Sequence, residues 1–278
     1  PPRLRADPNR PPSAGVRPQQ IATSTFTVAG LDIYAPSAYD RSVFFVGPCF
    51  PPQAQPDAQQ PADDEVIAWM DKMHAEGRRV VCINMGTIYY YQPQDYAHMV
   101  QALHMIHEQN PNVAFLWKIA QRPKHVQNIP SEEEAALPPY VRRLSWIPSM
   151  TAVMEHPALA VMMHHGGGNS LNECLAYGIP QFCISQWVDT HDIGLCIRHS
   201  GVGLWSEYSP DFVPEDICSQ LLQLVEDKDH TFRHTALSWK LKTQQAGGTK
   251  FAADLIQSYV TDYTYAGGSS KAPMPHAM

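Results

Sequence analysis

The sequence predicts an α/β fold in which a parallel sheet is covered by helices on both faces. Between residues 63 and 260, short apolar runs alternate with longer amphipathic stretches, as strands alternate with helices. The apolar runs are continuous, which is expected for strands buried on both faces. One run leads into Gly166-Gly167-Gly168 and then a helical stretch, so the glycines permit a tight strand-to-helix turn.

The individual elements follow in chain order. Residues 20–34 and 41–47 are rich in β-branched and aromatic side chains and are predicted to contain short strands. Acidic residues begin the stretch 63–77 and Gly77 ends it, which predicts a helix. Further strands are predicted at 78–86, 112–120, 159–163 and 179–185, and further helices at 93–110, 168–177, 189–199 and, as two or three, within 214–260.

Proline content divides the chain, because 12 of its 25 prolines lie in residues 1–61. We expect residues 1–45 to be mainly a Pro-rich tail and residues 46–62 to be an extended linker. Residues 63–260 form the predicted domain. Residues 261–278, which are rich in small and polar residues, are predicted to be a loose tail.

Composition excludes several classes of protein. The chain has 278 residues, of which 44% are hydrophobic, so it can bury a sizeable core. Its formal charge of −7 lacks the basic excess of nucleic-acid-binding proteins. No apolar run approaches the roughly 18 residues of a transmembrane helix, and residues 1–20 do not resemble a signal peptide. The six cysteines form no C-x-x-C pair, and we expect buried free thiols in a cytoplasmic protein.

The segment around the glycine triplet carries the predicted chemistry. Its helix opens near Asn169 and Ser170, and the free N–H groups of a helix start attract an anion. His165 lies on the rim of this turn and can bind a phosphate oxygen. Glu173, about one turn further, can accept hydrogen bonds from ribose hydroxyls. The alternative is an ordinary connection, since the segment matches neither G-x-G-x-x-G nor a Walker loop.

The longer stretch from Trp146 to Asp192 resembles the signature of the UDP-glycosyltransferase family. That signature contains W-x-P, H-P, H-x-G-x-N-S-x-x-E, G-[VI]-P and an aspartate at fixed spacing. Val46-Gly47-Pro48 is similar to the family's interdomain boundary, and Asn84-Met85-Gly86-Thr87 to its S-x-G-[ST] turn. The matching residues are Trp146, Pro148, His156, Pro157, His165, Gly167, Asn169, Ser170, Glu173, Gly178, Pro180 and Asp189.

The resemblance implies the C-terminal half of a GT-B glycosyltransferase, a Rossmann-like domain that binds the nucleotide sugar. By motif position, Trp146 would stack on uracil and Glu173 would hold the ribose hydroxyls. Asp189 and Thr190 would lie at the sugar. The diphosphate would contact Thr87, His165, Gly167, Gly168, Asn169 and Ser170.

The activity implied by the resemblance is inverting hexosyl transfer from a UDP-sugar, with UDP-glucose as the expected donor, to a small lipophilic acceptor. An acceptor hydroxyl would attack the anomeric carbon, and the departing UDP would be stabilised at the helix start. The resemblance implies no metal or other cofactor. It also places no catalytic residue in this chain. The family's general base is a histidine in a separate N-terminal acceptor domain, of which residues 1–45 resemble only the last stretch.

Departures from the family pattern leave alternatives open. Ser149 and Met150 stand where a glutamine normally follows W-x-P, and Thr190 replaces the glutamine or histidine that normally contacts the sugar. An acceptor domain is not found in the sequence. The alternatives are therefore a truncated or split nucleotide-sugar-binding module that is inactive without a separate acceptor domain, and a non-catalytic relic.

Other candidate residues are predicted to be structural. Asp227-Lys228-Asp229 spells the D-x-D of metal-dependent glycosyltransferases, yet it lies between helices and is predicted to be a surface turn. Trp187 is predicted to be core, and Glu132-Glu133-Glu134 a solvated loop or helix start. His164 lacks the motif spacing of His165. A metal site is not favoured on the helix that carries three histidines without cysteine or carboxylate companions, namely His98, His104 and His107.

Overall fold

The computed structural model describes residues 23–25, 28–31, 43–50, 61–131 and 135–265. Several predictions therefore lie outside the described residues. These are the Pro-rich start up to residue 22, residues 26–27 and 32–42, most of the linker, the acidic segment Glu132-Glu133-Glu134 and the tail beyond residue 265.

Strands and helices alternate along the described chain. The strands are β1 (Thr23–Thr25), β2 (Val43–Phe45), β3 (Arg79–Asn84), β4 (Val113–Lys118), β5 (Val141–Leu144), β6 (Leu159–His164), β7 (Gln181–Cys183) and β8 (Gly203–Trp205). The helices are α1 (Pro61–Ala75), α2 (Pro93–Gln109), α3 (Met150–Glu155), α4 (Gly168–Tyr177), α5 (Val188–Ser200), α6 (Pro214–Glu226), α7 (Thr231–Ala246) and α8 (Gly248–Tyr265). Strands β1 and β2 pair with each other in a small parallel sheet.

The main sheet has six parallel strands in the order β5-β4-β3-β6-β7-β8, which confirms the predicted α/β fold. β5 and β8 are not among the predicted strands. Both lie at the edges of the sheet, where β5 carries two arginines and β8 is only three residues long. Neither therefore forms the continuous apolar run by which the buried strands are predicted.

Each face of the sheet has its own core cluster, because successive residues of a strand point to opposite faces. Helices α2 and α6 cover one face, where Val81 of β3 lies in a cluster with Met99 and Leu221. Helices α1, α3 and α4 cover the other face, where Val80 lies with Cys174. After β3 the chain forms α2 on one face of the sheet, and after β6 it forms α4 on the other face. The crevice between the carboxyl ends of these two strands is the topological switch point, where open α/β sheets bind ligands.

The flanking segments pack onto this domain, so the observed boundaries differ from the predicted ones. Val28 and Leu31, which the sequence assigns to the part before residue 46, are buried among residues of α4, α5 and α7. Val46, predicted to begin the linker, is buried against α8. Helix α8 continues to Tyr265, so residues 261–265 are helical and do not belong to a loose tail.

The cysteines are free, and all except Cys49 are buried. This confirms the predicted buried thiols, which fill apolar positions of the core. Within the part of the chain that the structure describes, no helix combines the length and the apolar character needed to cross a membrane.

Candidate functional site

Two loops meet at the switch point between β3 and β6. In the first, Asn84-Met85-Gly86-Thr87, the Asn84 Oδ1 accepts a hydrogen bond from the Gly86 N–H at 3.0 Å. Gly86 has a φ of +84°, and a side chain there would meet the His165 ring at 2.7 Å. Glycine is required because the loop after β6 packs directly on this backbone. Thr87 is exposed beside it, and its carbonyl accepts a hydrogen bond from Arg122.

The second loop connects β6 to α4, and its first residue, His165, is half-buried with its ring against Gly86. Trp187, predicted to be core, is also half-buried and lies edge-on to His165, with 5.3 Å between ring centroids. Burial lowers the pKa of His165, with a smaller opposing effect of Asp189. The His165 Nδ1 is buried and has no hydrogen-bond partner among the described residues. A buried ring nitrogen in this state needs a ligand or a water molecule to satisfy it.

Helix α4 begins at this turn without a side-chain cap. Its N-cap is Gly167, after which Gly168 and Asn169 are exposed and Ser170 is half-buried. A side chain at Gly168 would find no atom within 4 Å, so the helix start opens onto free space. The first N–H groups of this 10-residue helix are therefore available to an anion.

Glu173 lies one turn into α4 and is half-buried. Burial raises the pKa of its carboxyl group. No described residue forms a hydrogen bond or an ion pair with this carboxylate. Since an unpaired, partly desolvated carboxylate is costly, Glu173 is suited to accept hydrogen bonds from the hydroxyl groups of a ligand.

Trp146 lies near this crevice, after β5, and its ring is 60% exposed, which rules out plain core packing. The buried Lys118 at the carboxyl end of β4 places its Nζ 5.2 Å from the Trp146 ring centroid. The same Nζ donates to the Gly86 carbonyl oxygen at 2.8 Å. Burial lowers the pKa of Lys118, and the charge of Arg122 acts in the same direction. Lys118 is absent from the predicted set, and its only sequence signal is a lysine at the end of an apolar run.

The loop before α5 corrects the prediction for Thr190. This side chain is 2% exposed, and its hydroxyl accepts from the N–H groups of Gln186 and Trp187, each at 2.9 Å. The hydroxyl also donates to the Trp187 carbonyl oxygen at 2.6 Å. Thr190 therefore holds this loop together and is not available to contact a sugar. Asp189, in the first turn of α5, is exposed and stays a candidate.

The three histidines of α2 have structural contacts, and two of them share Tyr140 as a partner. His98 Nδ1 lies 2.6 Å from the Phe212 carbonyl oxygen, and His104 Nδ1 lies 2.9 Å from the Tyr140 hydroxyl. His107 stacks on the Tyr140 ring with 3.5 Å between centroids. Among the residues that the structure describes, no three His, Cys, Asp or Glu side chains are grouped to hold a metal ion.

Asp227-Lys228-Asp229 forms the turn between α6 and α7, which confirms the prediction of a turn. Asp227 ends α6 in the left-handed conformation, with a φ of 36°. Its carboxylate accepts from the N–H groups of Phe232 and Arg233 at 3.1 and 3.0 Å. Asp227 thus caps the start of α7.

Asp227→Ala is expected to lower the free energy of unfolding by about 1–2 kcal/mol, because two N–H groups of α7 lose their acceptor. Asp229→Ala is the matched control and should change it by less than about 0.5 kcal/mol, since its carboxylate bonds no described residue. Urea unfolding followed by circular dichroism measures both variants. Equal losses in the two variants would contradict the capping role.

Comparison with solved structures identifies the fold. The chain aligns with UDP-glucose:anthocyanidin 3-O-glucosyltransferase in complex with UDP at a TM-score of 0.66 and 22% identity, covering 86% of this chain and 52% of that chain. The calicheamicin glycosyltransferase CalG4 aligns at a TM-score of 0.61 and 20% identity, covering 87% and 54%. The fold is therefore that of the C-terminal half of a GT-B glycosyltransferase, which confirms the prediction.

Sequence comparison identifies similar proteins. Residues 124–250 match the family described as "Erythromycin biosynthesis protein CIII-like, C-terminal domain". Erythritol-mannosyl-transferase 1 of Mycosarcoma maydis is 26% identical over 272 residues, covering 76% of this chain and 43% of that protein. UDP-glycosyltransferase 84A1 of Arabidopsis thaliana is 29% identical over 197 residues, covering 66% and 38%. These matches support a C-terminal domain similar to those of UDP-glycosyltransferases, and the chain spans less than half the length of these curated relatives.

Proposed function

We propose that this domain binds a UDP-sugar, with UDP-glucose as the donor, for inverting hexosyl transfer to a small lipophilic acceptor. The observation that carries the proposal is the uncapped start of α4, which lies beside His165 and the β3 turn at the switch point. These groups can bind a diphosphate through N–H donors and the helix dipole. Such a site needs no basic surface, which suits a chain of formal charge −7.

The proposed nucleotide extends from Trp146 to the start of α4. The exposed indole stacks on uracil, and the unpaired Glu173 accepts from the ribose hydroxyls. Lys118 supplies positive charge between the Trp146 ring and the β3 turn. Asp189 binds hydroxyls of the sugar. The diphosphate is bound by Thr87, His165, Asn169 and Ser170 and by the backbone N–H groups of Gly167 and Gly168.

In the proposed reaction the acceptor oxygen forms a bond to the anomeric carbon on the side opposite UDP. The bond from that carbon to the diphosphate oxygen breaks, and its electron pair leaves with UDP. Helix α4 and His165 stabilise the charge that develops on this oxygen. The proton of the acceptor passes to a general base in a separate acceptor domain. The proposal includes no metal or other cofactor, so EDTA should leave the affinity for UDP unchanged.

A mannosyl donor is the alternative to UDP-glucose. The similar proteins of Mycosarcoma maydis and Pseudozyma antarctica are named erythritol-mannosyl-transferases. In addition, the side chain of Thr190, which would contact the sugar by motif position, is buried. Parallel titrations with UDP-glucose and GDP-mannose separate the two donors. Tighter binding of GDP-mannose would replace UDP-glucose in the proposal.

A second candidate function is a truncated or split binding module that transfers no sugar without a partner chain. The chain spans 43% of the length of the Mycosarcoma maydis relative. Assays with and without an added acceptor-domain chain discriminate the two functions. Turnover by these 278 residues alone would refute the need for a partner. A non-catalytic relic would hydrolyse no donor even with that partner present.

We also propose a cytoplasmic location. The buried cysteines are all unpaired, and free thiols persist in a reducing compartment. Fractionation of cells that produce the chain checks this location, and recovery in a secreted fraction would contradict it.

Calorimetric titration with UDP tests the proposal directly. Binding with a dissociation constant in the range of about 1 μM to 1 mM is expected for a site built from N–H donors, one stacked base and one carboxylate. No binding at millimolar UDP would overturn the proposal.

Trp146→Leu is expected to weaken UDP binding by about 1–2 kcal/mol, because stacking of a base on an aromatic ring is lost. The free energy of unfolding should change by less than about 0.5 kcal/mol, because the ring is 60% exposed. Tyr208→Leu is the matched control, since Tyr208 is 56% exposed and lies outside the proposed site. Titration of both variants checks the prediction, which fails if Trp146→Leu binds UDP as the parent does.

A further inference from the structure

His164 is a fully buried polar side chain at the carboxyl end of β6, adjacent to His165 but outside the proposed donor contacts. Its Nδ1 accepts a hydrogen bond from the Gly166 N–H at 3.1 Å. Its Nε2 lies 2.9 Å from Oε1 of Gln181, a fully buried residue of the neighbouring strand β7. The imidazole thus connects the core of the sheet to the first residue of the glycine turn.

The hydrogen bonds define the tautomer of His164. A backbone N–H can only donate, so Nδ1 is the acceptor and the proton of the neutral ring is on Nε2. That proton is donated to the Gln181 Oε1. Burial lowers the pKa of His164 to about 4, so the ring stays neutral near pH 7.

The residue bound by His164 sets the geometry of the turn. Gly166 has a φ of +87°, and its position is enclosed by the Thr190 carbonyl and the Cys183 sulfur. The next residue, Gly167, is the N-cap of α4. A rotation of the peptide before Gly166 would therefore redirect the N–H groups at the start of the helix.

We propose that His164 is a positioning residue that, anchored by Gln181, holds the Gly166 N–H and so orients the start of α4 toward the diphosphate. Its role in binding rests on the proposed function, because it acts on the groups that bind the diphosphate. The two adjacent histidines thus have different roles, because His165 contacts the ligand, whereas His164 is buried in the core and orients the turn.

Two amide variants test this role, because each replaces one of the two ring nitrogens. Asparagine places its carboxamide oxygen near the position of Nδ1, whereas glutamine extends to the position of Nε2. His164→Asn should keep the affinity for UDP within about twofold of the parent, and His164→Gln should weaken it about tenfold. Uridine has no diphosphate, so its affinity should be the same for both variants. Equal UDP affinities for the two variants and the parent would overturn the binding role.

Hydrogen exchange of the Gly166 amide supplies a measurement that needs no ligand. We expect exchange about tenfold faster in His164→Gln than in the parent, and near-parental exchange in His164→Asn. Unchanged exchange in His164→Gln would overturn the inference. If the parent fails to bind UDP, the proposed function fails, and the exchange rates alone then decide the role of His164 in the turn. Gln181→Met, which removes the anchor but keeps the histidine, replaces His164→Gln if that variant does not fold, and faster exchange is again expected.

Discussion

Gly166→Ala is expected to lower the free energy of unfolding by about 2–4 kcal/mol, through backbone strain and overpacking together. The φ of +87° at Gly166 disfavours any residue with a side chain. The added methyl group would also lie 2.7 Å from the Thr190 carbonyl oxygen and 3.1 Å from the Cys183 sulfur. Neither neighbour can retreat easily, because Thr190 holds the loop before α5 and Cys183 lies in β7. The turn must shift instead, and UDP binding should weaken with it.

Gly168→Ala is the matched control for this prediction. Gly168 lies two residues further along the same turn, yet a methyl group there meets no atom within 4 Å. The free energy of unfolding should therefore stay within about 0.5 kcal/mol of the parent or rise, because alanine favours a helix over glycine. Urea unfolding of both variants measures the difference. Similar losses in both would show that enclosure of Gly166 is not the cause.

Glu173→Gln is expected to weaken UDP binding by about 1–3 kcal/mol, because a charged acceptor is replaced at the ribose hydroxyls. Glu155→Gln is the matched control, since Glu155 is exposed at the opposite end of the strands and should leave the affinity unchanged. Calorimetric titration of both variants with UDP gives the comparison. If Glu173→Gln binds UDP as tightly as the parent does, Glu173 does not bind the ribose. That result would not concern the diphosphate site at His165 and α4.

Although Glu173→Gln should weaken UDP binding, it should raise the free energy of unfolding relative to the parent near neutral pH. Burial raises the pKa of Glu173, so the folded state holds this proton at pH values where the unfolded chain has lost it. Stability of the parent therefore falls as pH rises from the ordinary glutamate pKa through the raised value. Glutamine does not titrate, so the advantage of Glu173→Gln over the parent should grow from pH 4 toward pH 7. Unfolding measured across this range checks the sign, and a parent that gains stability relative to the variant would contradict it.

Prediction from sequence succeeds where burial is uniform along an element. β3, β4 and β6 lie inside the sheet and form continuous apolar runs, because both of their faces are covered. β5 is missed because it lies at an edge, where Arg142 and Arg143 reach out to polar partners on other segments. Its strand character comes from pairing with β4, which no local pattern records.

The candidate site is predictable to a similar degree. Trp146, His165 and Glu173 follow from motif spacing, and the structure leaves all three with exposed or unpaired groups. Lys118 is missed because its partner, the Gly86 carbonyl, lies 32 residues away in sequence. Thr190 is assigned wrongly because a motif position does not show that a hydroxyl already has three backbone partners.

By itself the sequence determined the parallel α/β architecture, the glycine turn at the start of α4 and the resemblance to UDP-glycosyltransferases. These properties depend on local burial pattern and backbone freedom, which residue order encodes directly. Only the tertiary structure decided which polar groups stay open to a ligand and which are used internally. That choice depends on hydrogen-bond partners from other elements, as Gln181 of β7 is for His164 and the loop backbone is for Thr190.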